Sequence, residues 1–381
     1  MSLYEVDVER HDRVLEMTRD FVKKEIPPEL VRETDRNDQY PLDLIKKLCA
    51  VGLMGVNVPE EFGGMGGDVI DVMLMYEEIS KRMPVLSWAA GNITLYGNEI
   101  LLVNGNREQQ EKYLPKLLNG EMLFCLAITE PDAGSDAANI KTRAVLQNGT
   151  YLINGNKMFI SGAGVSDITV TMTRTAESRY KGITSFLVDT KSEGYSAKSI
   201  KKLGYNGSDT CEVYYENVEV KADAIVGGEA GLNNGWNQMM NTLNSERLAL
   251  SACALGIAQA AVDDILSFAK EHFKFGAILN QDIQHTIVEM ATEVEAARQL
   301  AYYAARKETK GQECIKETSM SKYYTTETAK KVVATGLKIL GEYGALEAVD
   351  MQRYLRDVLI LSVGGGTTQI QKNIVAKTLG M

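Results

Sequence analysis

From about Val8 to Gly120, apolar positions recur at three and four residues in segments such as LDLIKKLCAVGL (42–53) and IDVMLMYEEISKRM (70–83), with Pro and Gly between them. That period predicts a bundle of helices. The stretch PEEFGGMGGD (59–68) reads as a loop between two of them. From about Leu123 to Val226 the period changes to two. TYLIN (150–154) lies between the hairpin-type pairs Asn148-Gly149 and Asn154-Gly155, and ITVTMT, ITSFLV and CEVYYENVEV alternate or are rich in β-formers. This third of the chain is expected to be an antiparallel sheet or small barrel. From Trp236 onward helical spacing returns in three long runs, 246–272, 293–308 and 321–340.

The order helices, sheet, helices keeps strands apart from helices and predicts an α+β fold rather than a doubly wound one. The expected domains are an N-terminal helical domain (1–121), a middle β domain (122–230) and a C-terminal four-helix bundle domain (231–381). There is no Gly-x-Gly-x-x-Gly after a strand, so a Rossmann site is not how a nucleotide would be held. No internal repeat at fixed period is evident.

Composition narrows the classes. Of 381 residues, 45% are hydrophobic and 24% charged, the balance of a chain that buries a large core. The 41 basic and 51 acidic residues leave a net charge of −10, with no basic footprint for nucleic acid or anionic lipid. Five scattered cysteines without a CxxC pair, and only three histidines, argue for reduced thiols, a cytoplasmic setting and no metal site. The uncharged stretch Leu248 to Val262 falls short of the ~20 residues of a membrane span, so no membrane insertion is expected. The N-terminus mixes acids and bases, which fits neither a secretory nor a transit signal.

Three segments could carry chemistry. AITEPDAGSD (127–136) concentrates hydroxyls and backbone donors around Thr129, Ser135 and Asp136, able to hold an anionic or carbonyl-bearing ligand; the alternative is a capped turn. On the helix after Trp236, Glu246 falls on the apolar row Met239, Leu243, Leu250, Ala254 and Ile257. A carboxylate there has its pKa raised by desolvation and could serve as a general base, or it could be paired with a distant cation; Arg247, adjacent in sequence, faces elsewhere. SVGGGTTQIQ (362–371) offers a glycine loop and an N-cap with free amides, against the alternative of a flexible tail.

Together with INGNKMFISGAG (153–164), FKFG (273–276), KILGEYG (338–344) and RYLRDVLILSVGGGTTQIQ (353–371), these segments occur in an order that resembles the acyl-CoA dehydrogenase family along the whole chain. The resemblance implies that family's three-domain fold, bound FAD, an acyl-CoA substrate, an electron-transfer flavoprotein as partner, and a homotetramer built as a dimer of dimers. It implies that Leu126, Ile128 and Thr129 line the flavin, that Ser135 is shared with acyl-CoA, and that Phe159, Ile160 and Ser161 stand against the ring, with Phe159 where many members have Trp. It places Thr368 and Gln369 on the cofactor, and Asn244, Arg247 and Gly366 at the thioester end of the substrate.

His272, Phe275, Gln281, Lys338, Gly341 and Glu342 correspond to residues that meet the FAD of a neighbouring subunit. His272 replaces a common Arg, Lys338 and Glu342 replace Gln and Gly, and the segment 276–284 is about two residues short. Where many members carry the base in the last loop, this chain has Gly365. Glu246 matches instead the alternative placement of isovaleryl-CoA dehydrogenases and resembles crotonobetainyl-CoA reductases. The implied activity is α,β-dehydrogenation of an acyl-CoA, or the reverse reduction. The alternatives are a flavin-dependent oxidase or hydroxylase of the same fold, and a catalytically silent scaffold homologue.

Overall fold

The computed structural model describes residues 8–275 and 278–381. Seven helices come first: α1 (Val8–Glu25), α2 (Pro28–Asn37), α3 (Leu42–Ala50), α4 (Val69–Ser80), α5 (Pro84–Ile93), α6 (Ile100–Asn104) and α7 (Arg107–Leu118). The glycine-rich stretch 59–68 is the connection into α4, as expected, and ends in a capping box. Asp68 accepts from the Ile70 amide at 2.8 Å while Asp71 accepts from the Asp68 amide at 2.9 Å. Arg10 of α1 clamps both carboxylates, at 2.9 and 2.8 Å, and so ties the first helix to the start of the fourth. Between α5 and α6, residues 94–99 form a π-helical turn, a wider coil that recurs at functional sites.

The strands are β1 (Phe124–Ala127), β2 (Arg143–Gln147), β3 (Thr150–Ser161), β4 (Ile168–Arg174), β5 (Ile183–Asp189), β6 (Tyr195–Ser199) and β7 (Thr210–Lys221). They form one sheet in the order β1-β4-β2-β3-β7-β6, with β5 also paired to β4. The antiparallel expectation holds for β2–β3, β3–β7, β6–β7 and β4–β5. It is corrected at β4, whose pairings with β1 and with the end of β2 are parallel. Parallel neighbours need a long crossover, which a local period-two pattern does not encode.

The C-terminal helices are α8 (Gly235–His272), α9 (Gln281–Thr309), α10 (Ile315–Leu340), α11 (Met351–Leu361) and α12 (Thr368–Thr378); a two-stranded ladder, β8 (Lys274–Phe275) with β9 (Ile278–Leu279), joins α8 to α9. Among the described residues α8 alone is long and apolar enough to cross a membrane, and 83% of its apolar window is buried inside the fold, against α4, α9 and α10. One core runs through both helical regions, joining Val14, Ile45 and Met73 to Leu248, Val294 and Val333. The sheet has its own core around Ile153, Phe186 and Val213. α8 is therefore the shared wall between the N-terminal helices and the C-terminal bundle, and its N-terminal third carries Glu246.

Candidate active site

Two segments of the β domain are fixed by one buried ion pair. Lys157 of β3 is fully buried and donates to the Ile128 carbonyl and to Glu130, each at 2.9 Å. Glu130 also accepts the amides of Lys141 (2.6 Å) and Thr142 (2.9 Å). Burial lowers the lysine's pKa to about 8 against the pull of Glu130. For Glu130, burial acts upward but is outweighed by Lys157 and the hydrogen bonds, so its pKa falls. The turn 127–136 and the segment 157–161 are thus held together, and the Met158 amide donates to the Thr129 carbonyl at 2.9 Å.

A β-bulge between Lys157 and Ile160 takes Phe159 out of the ladder. Phe159 has φ +61° and is 62% exposed, a left-handed conformation rare for a bulky residue and found where function requires it. Ser161 shares a hydroxyl contact with Thr210 at 3.3 Å. The Ile160 side chain is buried in the sheet core, so its backbone is the part that can face a ligand. Leu126 is half-buried and Ser135 exposed.

Glu246 of α8 faces a small cavity with Tyr96 and Trp88 among its walls. The Tyr96 hydroxyl donates to Glu246 Oε1 at 3.3 Å. Glu246 keeps some accessible surface because it borders this opening, yet protein encloses its carboxylate. Burial raises its pKa, opposed without cancellation by the charge of Arg247, the Tyr96 bond and the charge of Lys322. Arg247 is 3% exposed, and its Nε and Nη1 have no hydrogen-bond partner in the protein. The buried indole N–H of Trp88 is likewise unpartnered. Three donors near Glu246 are therefore left for a ligand.

The glycine loop closes the site. A Cβ on Gly365 would lie 2.5 Å from Leu250 Cδ1, one turn beyond Glu246, and one on Gly364 would lie 3.4 Å from the Trp88 ring. Gly365 and Gly366 have φ of +64° and +91°. Lys322 of α10 donates to the Gly366 carbonyl at 2.7 Å, and Gln371 donates to the Gly365 and Gly366 carbonyls at 3.0 and 3.2 Å. Burial lowers the pKa of Lys322 to about 8. The loop is a tethered structure, which overturns the flexible-tail alternative.

Asn244 points away from Glu246. Two residues rotate an α-helix by about 200°, so it cannot face the point that Glu246 faces. Its amide donates instead to Glu308 at 3.2 Å and to the Cys314 sulfur at 3.6 Å. Thr368 is buried and its hydroxyl donates to Glu327 at 2.7 Å, so that oxygen is engaged within the chain, while Gln369 is exposed.

His272, Gln281, Lys338, Gly341 and Glu342 are all exposed. His272 stacks on Phe268 at 4.1 Å and stands 6.0 Å from Tyr343, ring to ring, which gathers the end of α8 and the turn after α10. At 1.5 Å per residue, His272 lies about 39 Å along α8 from Glu246, so this group serves no centre shared with it in one chain. The side chain of Phe275 lies outside the described residues.

Sequence reasoning did not single out Tyr96, Trp88, Lys322 or Gln371. Among the described residues one set could coordinate a metal, His11 with Asp68 and Asp71, and Arg10 already binds both of its carboxylates.

The N-terminal, middle and C-terminal domain models of the acyl-CoA dehydrogenase family match residues 8–121, 125–218 and 233–380. An acyl-CoA dehydrogenase of Bacillus subtilis is 39% identical over 367 residues, 95% of this chain and 96% of its own. A subunit of the caffeyl-CoA reductase-Etf complex of Acetobacterium woodii is 33% identical over 375 residues, 97% of this chain and 98% of its own. The solved butyryl-CoA dehydrogenase of Megasphaera elsdenii superposes with a TM-score of 0.94 at 30% identity, covering 100% of both chains.

Proposed function

The chain belongs to the acyl-CoA dehydrogenase family of flavoproteins, and we propose that it interconverts a saturated acyl-CoA and its 2,3-enoyl-CoA with Glu246 as the base, FAD as cofactor and an electron-transfer flavoprotein as redox partner. The observation that carries this reading is the juxtaposition of Glu246, Tyr96 and the glycine loop around one cavity.

The residues fit a flat, hydrogen-bonding cofactor. Phe159 is held exposed beside Thr129 and Ser161, and unpartnered buried N–H groups of Trp88 and Arg247 stand near Glu246. Leu126, Ile128, Thr129, Phe159 and Ser161 would hold FAD from one side, and Thr368 and Gln369 from the other. When bound, FAD supplies the acceptor for the hydride that leaves Cβ. Glu246 takes the α-proton as that bond breaks, and returns it in the reverse direction. Its raised pKa keeps the proton affinity that a base for a weak carbon acid needs. The Gly365 and Gly366 amides, on a loop tethered by Lys322 and Gln371, offer preorganised donors for the thioester oxygen as enolate charge develops. Closure by Trp88, Tyr96 and Leu250 keeps bulk water from the carboxylate.

A homotetramer belongs to the same reading, in which the remote exposed group of His272, Gln281, Lys338, Gly341 and Glu342 would meet another subunit's cofactor. So does a cytoplasmic setting, supported by five free, buried cysteines. Anaerobic addition of acyl-CoA to the flavin-replete protein tests the activity. Bleaching of the visible flavin band is expected, and protein that neither carries nor takes up flavin would overturn the reading.

A further inference from the structure

The cavity that Glu246 borders measures only about 20 Å³, and its other walls include Tyr76, Trp88, Leu95, Tyr96, Leu250 and Cys253. Leu95 also lines a second, larger chamber of about 190 Å³. We propose that Leu95 is the wall that ends the acyl pocket, and that the substrate is a short acyl-CoA of about four carbons. This deepens the acyl-CoA dehydrogenase reading and rests on it.

The size follows from volume. About 10–15 Å³ by this measure houses one water-sized group, so with the reacting carbons held against Glu246 at its edge the cavity would admit one or two further heavy atoms. A four-carbon chain fits, and a six-membered aromatic ring does not, unlike the substrate named for the caffeyl-CoA reductase relative.

The walls are tethered rather than adaptable. Gly91, Leu95 and Tyr96 share one face because the chain passes into the π turn there. Tyr96 is bonded to Glu246, and the Tyr76 hydroxyl lies 2.6 Å from that of Thr94. Trp88 packs on Tyr205 with ring centroids 5.0 Å apart.

The larger chamber that Leu95 also lines reinforces the limit. The chamber presents Glu99, which accepts from Ser245 at 2.9 Å, and Glu308, which accepts from Asn244 at 3.2 Å. An apolar chain that reached it would desolvate those carboxylates without pairing them.

The test is anaerobic flavin reduction by propionyl-, butyryl-, hexanoyl-, octanoyl- and 3-phenylpropionyl-CoA in the wild type, Leu95→Ala and Gly91→Ala. The wild type is expected to prefer butyryl-CoA over hexanoyl-CoA by roughly tenfold or more, the worth of a misplaced methylene. Leu95→Ala should raise the hexanoyl-to-butyryl ratio by about tenfold. Gly91→Ala adds a methyl 3.4 Å from the Tyr76 hydroxyl and 3.6 Å from Leu95 Cδ1, and should move preference toward propionyl-CoA. Octanoyl- or 3-phenylpropionyl-CoA equal to butyryl-CoA in the wild type would overturn the proposal. So would unchanged preference in both variants with flavin retained. If Leu95→Ala loses flavin or fails to fold, the wild-type series and Gly91→Ala still decide. If no acyl-CoA of any length reduces the flavin, the activity itself is wrong, and the size limit falls with it.

Discussion

The phenol of Tyr96, in the π turn after α5, donates to Oε1 of Glu246 on α8, joining residues 150 positions apart at the mouth of the cavity. The bond stabilises the carboxylate form against burial, which pushes the other way. Tyr96→Phe should therefore raise the Glu246 pKa further. The acid limb of kcat/KM is expected to move up by roughly half to one pH unit, with activity recovered at higher pH. A uniform loss at every pH would instead mark Tyr96 as packing only.

The raised pKa of Glu246 has a stability counterpart. Between the ordinary glutamate value of 4.5 and its raised value, the folded state holds a proton that the unfolded state has released, so stability falls as pH rises through that window. Above it the cost of the buried charge is fully present. Glu246→Gln removes the cost, and thermal unfolding of the flavin-replete variant should occur at higher temperature than the wild type near neutral pH. The difference should vanish at pH 4; equal midpoints at both pH values would argue against a strained carboxylate.

Lys322 joins α10 to the Gly366 carbonyl and also carries a charge near Glu246. Lys322→Met keeps the length of the side chain but removes both. Turnover is expected to fall about tenfold or more, with the acid limb displaced upward and flavin retained, from the loss of a buried charge-assisted bond of about 1.5–3 kcal/mol. An unchanged pH profile in that variant would mean that Lys322 does not act on the base.

The period-two and helical patterns placed the sheet between two helical regions because each element buries one face, and that is a local property of the sequence. Glu246 was legible for the same reason, as an acid on an apolar row. Tyr96 was not, since a π turn leaves no periodic signature and the contact is long-range. Lys322 was hidden in a run of polar residues, SMSKYYTTET, that reads as solvent-facing. Ser319, Ser321, Lys322, Thr325 and Thr326 are in fact buried, with Thr325 and Thr326 donating back to helix carbonyls at 2.9 Å. Asn244 entered through the family motif, and its hydrogen bonds to Glu308 and the Cys314 sulfur rest on long-range packing that the motif does not encode.

Moving the base to the loop is constrained by Leu250. A side chain at Gly365 meets Leu250 Cδ1 at 2.5 Å and must adopt φ +64°. Glu246→Gln with Gly365→Glu should therefore regain little flavin reduction by substrate, and adding Leu250→Ala should regain more. Full recovery without the Leu250 change would show that the loop rearranges freely.

The most direct measurement is the rate of anaerobic flavin reduction by butyryl-CoA in Glu246→Gln, with flavin content checked in the same sample. Gln keeps the size and the acceptor for Tyr96 but cannot take the α-proton. The rate is expected to fall by roughly 10²–10⁴-fold with flavin still bound, the usual worth of a general base. Reduction at a near-normal rate would mean that the proton leaves by another route, and would contradict the assignment of Glu246.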